Sequence, residues 1–226
     1  MRTLTLVGLC SLTVSCSQHF SDVESTADAL PVSNNHVLAK AGLVRVAEVD
    51  RSIHVDLQYK GATTLSKKPF YEPSFPALLR PETARRLSHA NRLVKAYGYR
   101  IMVWDAYRPP IVQNRLWDAS GHNDTYVANP HNAASQHSCG TAVDVTMVTS
   151  RGKPVKMPTG FDSFSPLASS NYQHKDPEIR RNLNILQSAM RQAGFYPLPA
   201  EWWHYIDKNY EKYPNTISLE SIKGSY

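Results

Sequence analysis

Apolar and polar residues alternate over residues 52–59. Ile53, Val55, Leu57 and Tyr59 stand against Ser52, His54, Asp56 and Gln58, and a period of two predicts a half-buried strand. Residues 60–76 interrupt the pattern with Gly61, Pro69, Pro73 and Pro76, and the Phe70, Tyr71 and Phe75 rings among them suit a long loop that roofs a site. Helical spacing takes over at residues 81–97, where Ala84, Leu87, Ala90, Val94 and Tyr97 share one face. Glu82 favours the positive helix end and Gly98 stops the helix. Residues 99–107 alternate again, with Ile101, Val103 and Asp105 on one side, until Pro109 and Pro110 forbid continuation.

A short helix is expected over residues 111–119, a polar loop over 121–132, a strand over 141–148 and a second long loop over 151–176. Asp176-Pro177-Glu178 supplies an N-cap, a proline at the first helical position and an acid in the first turn. The helix that follows carries Ile179, Leu183, Leu186, Met190 and Ala193 as its core stripe and ends at Gly194. Pro197 and Pro199 break the chain before a last strand at residues 202–206. Helices are not regularly interposed between these strands, which argues for an α+β fold with a small antiparallel sheet.

A chain of 226 residues with 42% hydrophobic content supports one core. Residues 43–226 are read as the folded domain. Met1-Arg2 and the apolar run from Leu4 to Val14 have the form of an export signal, residues 1–15, too short to span a membrane. Leu12-Thr13-Val14-Ser15-Cys16 looks like a lipoprotein cleavage box, with Thr13 where Leu is more usual, so Cys16 is the expected lipid anchor to the envelope membrane. Residues 16–42 read as a flexible tether. Once Cys10 leaves with the signal and Cys16 is lipidated, Cys139 is the one remaining thiol, and no internal disulfide forms. The formal charge of +6 is spread along the chain without a nucleic-acid-binding motif, so anionic envelope polymers are the expected surroundings and nucleic acid is not a partner.

The candidate chemistry centres on residues 135–145, Ser-Gln-His-Ser-Cys-Gly-Thr-Ala-Val-Asp-Val. His137 falls in a turn, Gly140 permits a sharp bend and Asp144 projects from the following strand. A three-ligand zinc site with one open position needs another donor, and Glu201-Trp202-Trp203-His204 offers His204 with Glu201 beside it. His122, Asp124 and His131 are alternative ligands in the preceding loop. Residues three apart point to opposite faces of a regular strand, so Glu201 is expected in the turn before pairing begins. No His-Glu-x-x-His helix and no Gly-x-Ser-x-Gly elbow occur, which excludes those two hydrolase layouts.

Ser-x-His-x-x-Gly-x-Ala-x-Asp, Glu-x-Trp-x-His and the upstream Asp105-Ala106-Tyr107-Arg108-Pro109 together resemble the D-alanyl-D-alanine dipeptidases of the VanX type. These belong to the zinc D-Ala-D-Ala metallopeptidases related to lysostaphin and the hedgehog signalling domain. The resemblance runs over about residues 43–210 and implies one Zn2+ held by His137, Asp144 and His204. It also implies Glu201 as general base and then acid, and Arg108 as the oxyanion donor. Asp105 either orients Arg108 or caps the strand end. Ser135 matches a residue near the substrate, and Asp162 one that faces its ammonium group. The implied reaction is hydrolysis of the free dipeptide. A peptidoglycan carboxypeptidase or endopeptidase, and a non-catalytic zinc-stabilised envelope binder, are the rival readings.

Overall fold

The computed structural model describes Met1 and residues 32–226 apart from Thr64 and Ser66. Cys16 and the signal-like segment beyond Met1 therefore lie outside the described residues. In chain order the elements are α1 (Val32–Lys40), β1 (Val44–Arg45), α2 (Val46–Val49), β2 (His54–Val55), β3 (Leu78–Leu79), α3 (Pro81–Lys95), β4 (Tyr99–Asp105), α4 (Pro110–Ala119), β5 (Ala142–Thr149), α5 (Pro177–Gln192), β6 (Phe195–Leu198) and β7 (Glu201–Asp207). The five-stranded sheet has the order β2-β4-β5-β7-β6, and β1 pairs with β3 apart from it. Every neighbouring pair in the larger sheet is antiparallel except the two-residue β2, which runs parallel to β4. The fold is α+β, as the patterning predicts.

The helices form for the expected local reasons. The Asp176 side chain accepts a hydrogen bond from the Glu178 backbone N–H at 2.8 Å and caps α5, and Gly194 follows the helix with a φ of 92°. α3 ends at Lys95, ahead of Gly98 at φ 81°, so Tyr97 lies past the helix and is 57% exposed instead of completing the buried stripe. Leu87 and Val94 of α3 and Leu183, Leu186 and Met190 of α5 share the core with Ile101 and Val103 of β4 and with Val143, Val145 and Met147 of β5. Each such side chain contributes about 1.5–3 kcal/mol on burial. Alternation then turns Asp144 and Thr146 to the other face of β5.

Two expectations are corrected here. Residues 52–59 are not one strand: only His54–Val55 pairs, Val55 is 43% exposed, and Gln58–Lys60 coils into a 3-10 turn. The Gln58 amide donates to the Asp56 carboxylate and to the Asp56 carbonyl, and such local side-chain bonds compete with a ladder at a sheet edge. The stretch read as a tether is structured from Val32, because α1 buries Leu38 in the core. Its polar sequence shows too little periodicity to announce a helix.

Candidate metal centre and cleft

The site is assembled on three neighbouring strands and one turn. Asp144 of β5 pairs directly with Asp105 of β4 on one side and with His204 of β7 on the other, so three polar side chains stand in a row across the sheet. A register shift on β4 makes this possible. Val103 pairs with Val145 and Asp105 with Asp144, leaving Trp104 unmatched. Regular alternation would have kept Asp105 on the core face with Ile101 and Val103; the bulge turns it towards the site.

His137 comes from the turn before β5. Gly140 has a φ of 75°, and a Cβ there would lie 2.8 Å from the Leu43 side chain, so the turn requires glycine. Arg80 fixes the same turn: its backbone N–H donates to the Gly140 carbonyl, and its Nε donates to the Cys139 carbonyl at 2.9 Å. His137 Nδ1 donates to the Ala106 carbonyl at 2.6 Å, which leaves Nε2 as the lone-pair nitrogen. That atom lies 3.1 Å from His204 Nδ1 and 3.4 Å from Asp144 Oδ1, and His204 Nδ1 lies 2.9 Å from the same carboxylate oxygen.

Glu201 is buried and places Oε2 4.0 Å from His204 Nδ1. It is not in a turn, as expected, but is the first residue of β7, opposite Leu198. Pro197 pairs with Tyr205, so Trp202, Trp203 and His204 have no opposite number on β6. This irregularity lets residues 201 and 204 face the same space. Burial, then the Asp144 and Asp162 charges, push the Glu201 carboxyl well above the usual carboxylate range. Burial would also raise Asp144, but the His137 and His204 imidazoles against it outweigh that and hold it well below the range.

Arg108 is buried at the end of β4 and held from several sides. Its Nε and Nη2 both reach Asp105 Oδ2, at 2.9 and 2.8 Å, and Nη1 donates to Gln113 Oε1 at 2.8 Å. Asp105 therefore orients Arg108, and it is fixed in turn by the Tyr71 hydroxyl at 2.6 Å. Nη2 stands 3.7 Å from Asp144 Oδ2, and the guanidinium lies 5.3 Å from the Tyr59 ring centre. Asp162 is buried in the left-handed region at φ 54°; its Oδ1 accepts from the Tyr59 hydroxyl at 3.2 Å and its Oδ2 has no partner. Burial, against Arg108 nearby, brings its pKa up to about 7.

These groups line one cavity of about 170 Å³ that includes Ser135, His137, Asp144, Asp162, Glu201 and His204. The family model of Peptidase_M15, described as D-ala-D-ala dipeptidase, matches residues 39–221. The chain belongs to this family. Among its relatives, a D-alanyl-D-alanine dipeptidase of Escherichia coli (strain K12) is 28% identical over 172 residues, covering 76% of this chain and 88% of the relative. One of Enterococcus faecium is 31% identical over 155 residues, covering 60% and 75%. A solved vancomycin resistance D,D-pentapeptidase, VanY, in complex with Zn(II), overlaps 67% of this chain and 87% of its own at 19% identity and a TM-score of 0.40.

As a Peptidase_M15 member the protein is a metallopeptidase, and its residues fit a metal. Three donors held at about 2.0–2.1 Å in a tetrahedral arrangement stand roughly 3.3 Å apart, close to the spacings of His137, Asp144 and His204. Four carboxyls, Asp105, Asp144, Asp162 and Glu201, are buried around a single buried guanidinium, a balance that calls for a cation. The alternative ligands His122, Asp124 and His131 are exposed in their loop. Cys139 is buried as a free thiol, and burial raises its pKa, which suits an inert residue.

Among the described residues of the loop at 60–76, none lines the cavity. Phe70 and Tyr71 pack around Tyr59, behind Arg108, and Tyr71 stacks on Phe75. Loop residues that do line it include Tyr126, Val127, Ala128 and Phe164. Gln113, Tyr126 and Phe164 are the residues that sequence reasoning missed, because no local motif marks them. Tyr59 fits the alternating pattern of residues 52–59, which marks it as a strand position and not as part of the cavity lining.

Proposed function

We propose that this protein is a zinc-dependent dipeptidase that hydrolyses D-alanyl-D-alanine to two D-alanines. The observation that carries the reading is the convergence, in one small cavity, of three spaced metal donors, the Glu201 carboxyl and the partnerless Asp162 Oδ2. The relatives named as D-alanyl-D-alanine dipeptidases support this choice of dipeptide.

His137, Asp144 and His204 would hold the ion, and bound zinc supplies Lewis acidity that brings the pKa of a water from 15.7 to about 7. As a carboxylate, Glu201 Oε2 takes a proton from the attacking water and delivers it to the leaving amine, and burial, which raises its pKa, makes it a stronger base than an exposed carboxylate. Arg108 donates from Nη2 to the carbonyl oxygen as charge develops there; Asp105 and Gln113 have already fixed its plane, so little reorganisation is needed. Asp162 Oδ2 accepts the substrate ammonium, and Ser135 borders the same space. A volume of about 170 Å³ falls short of the ~300–1,000 Å³ clefts that take larger ligands, which favours a free dipeptide over a peptidoglycan stem.

Released D-alanine should appear when zinc-loaded protein meets D-Ala-D-Ala, vanish with a chelator, and be absent with a stem pentapeptide. Equal release from both substrates would replace the dipeptidase with a D,D-carboxypeptidase. The run from Leu4 to Val14 and the Cys16 box support an exported, envelope-anchored enzyme of wall turnover or D-alanine salvage. Recovery of an unprocessed, unlipidated chain from the cytosol would overturn that placement.

A further inference from the structure

We infer that Tyr126 and Phe164 form a clasp over the cavity that sets substrate length, so that the enzyme rejects any peptide extended beyond the dipeptide's amine. This rests on the dipeptidase reading. The two rings stack with centroids 4.5 Å apart and planes 4° from parallel. They come from separate loops, Tyr126 from the segment between α4 and β5 and Phe164 from the segment between β5 and α5. Both line the cavity and both are half-buried, whereas His137, Asp144, Asp162 and Glu201 in the same lining are buried. The stack therefore stands at the half-exposed part of the lining and ties two loops that share no strand pairing.

Its position relative to Asp162 gives the clasp its selectivity. Phe164 lies two residues beyond Asp162, and tight turns fix the interval: the Phe164 N–H donates to the Asp162 carbonyl at 3.0 Å and the Ser165 N–H to the Ser163 carbonyl at 2.8 Å. Because Asp162 and Phe164 line the same cavity two residues apart, we take an amine held at Asp162 Oδ2 to lie near the Phe164 ring, so that a residue attached to that amine meets the stack. On the other side, Tyr126 is held by its own turn, its N–H donating to the Asn123 carbonyl. The adjoining Ala128 carbonyl accepts from Gln113 Nε2 at 2.7 Å, so this half of the clasp is anchored to α4 next to Arg108. Neither side chain is assigned a proton-transfer or metal-binding role, so the pair works by exclusion.

The test compares kcat/KM for D-Ala-D-Ala with that for L-Ala-D-Ala-D-Ala, which adds one small residue to the amine and keeps a free ammonium. Wild-type enzyme should cut the tripeptide at no more than about one hundredth of the dipeptide rate, and the Tyr126→Ala/Phe164→Ala double variant should raise that ratio about tenfold or more. Tyr126→Phe keeps the stack and should keep the wild-type ratio, which separates clasp loss from general damage; a thermal melt confirms that each variant is folded. Wild-type activity on the dipeptide with an unchanged ratio in the folded double variant would overturn the clasp and leave the dipeptidase reading intact. A wild-type enzyme that cuts both peptides equally would overturn the clasp and the dipeptide selectivity on which it rests. Wild-type protein inactive on the dipeptide would refute the underlying reading and the clasp with it.

Discussion

Asp162→Asn is expected to make the metal-free protein more stable at alkaline pH while damaging its activity. The carboxyl has a pKa of about 7 in the fold against an ordinary 3.8. An acid whose pKa is raised on folding binds its proton more tightly in the native state. Its ionisation therefore destabilises the fold: stability is fully present below pH 3.8, falls as pH rises towards 7, and is level beyond that. Over the interval from pH 5 to 8 the loss works out at roughly 2–3 kcal/mol, at 1.36 kcal/mol per tenfold. Asparagine keeps the shape and the contact with the Tyr59 hydroxyl but does not ionise, so this part of the pH dependence should disappear.

The assay is urea unfolding of wild-type and variant protein at pH 5 and pH 8 in a chelator, since bound cation would itself favour the ionised carboxyl. With an m-value of about 1–3 kcal/mol/M, the two midpoints should separate by about 1 M more at pH 8 than at pH 5. Comparing the two proteins cancels the part of the Glu201 contribution that burial and Asp144 cause, since these are common to both; the part caused by the Asp162 charge disappears with it and adds to the difference in the same direction. Midpoint differences equal at the two pH values would refute the reasoning, because they would show that Asp162 ionises in the fold as easily as in the open chain. In the zinc-loaded enzyme, loss of a charged partner for the ammonium should cost kcat/KM about 10- to 100-fold, mostly through KM.

The other expected outcomes concern the proposed chemistry. Glu201→Gln should leave zinc content and the melting profile intact and lower kcat by at least about 100-fold; near wild-type kcat would remove Glu201 from the mechanism. His137→Ala, Asp144→Ala and His204→Ala should each lose zinc by elemental analysis after dialysis, and stoichiometric zinc in all three would show that the donors are misassigned. Gln113→Leu should release one edge of the Arg108 guanidinium and lower kcat with little change in KM, whereas a residue with only a packing role would alter neither once the protein is folded.

Much of this was legible in the sequence because the chemistry is concentrated in short motifs and the large elements obey simple periods. Leu183, Leu186 and Met190 announce α5, Asp176 announces its start, and His137, Asp144, Glu201 and His204 stand in fragments whose residue types suggest a metal. What was not legible depends on pairing between distant segments. Nothing near Ile53 or Val55 tells whether the alternation there becomes a full strand, and local bonds at Asp56 and Gln58 truncate it. Gln113 reads as one more polar helix position until α4 is docked against Arg108. Aromatic content in residues 60–76 suggested a roof, but the Phe70 and Tyr71 rings are used to surround Tyr59. The lining falls instead to loops whose rings meet only after both have folded.

The two register shifts explain why alternation alone misplaces the site. On β4 the unmatched Trp104 allows Val103 to stay in the core while Asp105, two residues on, turns to the polar row. On β7, Trp202, Trp203 and His204 have no partner on β6, which allows Glu201 to approach His204 within 4.0 Å although the two are an odd number of residues apart. A strictly alternating sheet would present one of each pair to the hydrophobic core, where an unpaired carboxylate costs several kcal/mol. The bulges remove that conflict. They also supply aromatic residues at the irregular positions, with Trp104 edge-on to Trp202 and Trp202 edge-on to Trp203, so the distorted strands stay packed. The geometry of the centre thus rests on packed tryptophans, of which Trp203 borders the cavity while Trp104 and Trp202 stand outside its lining.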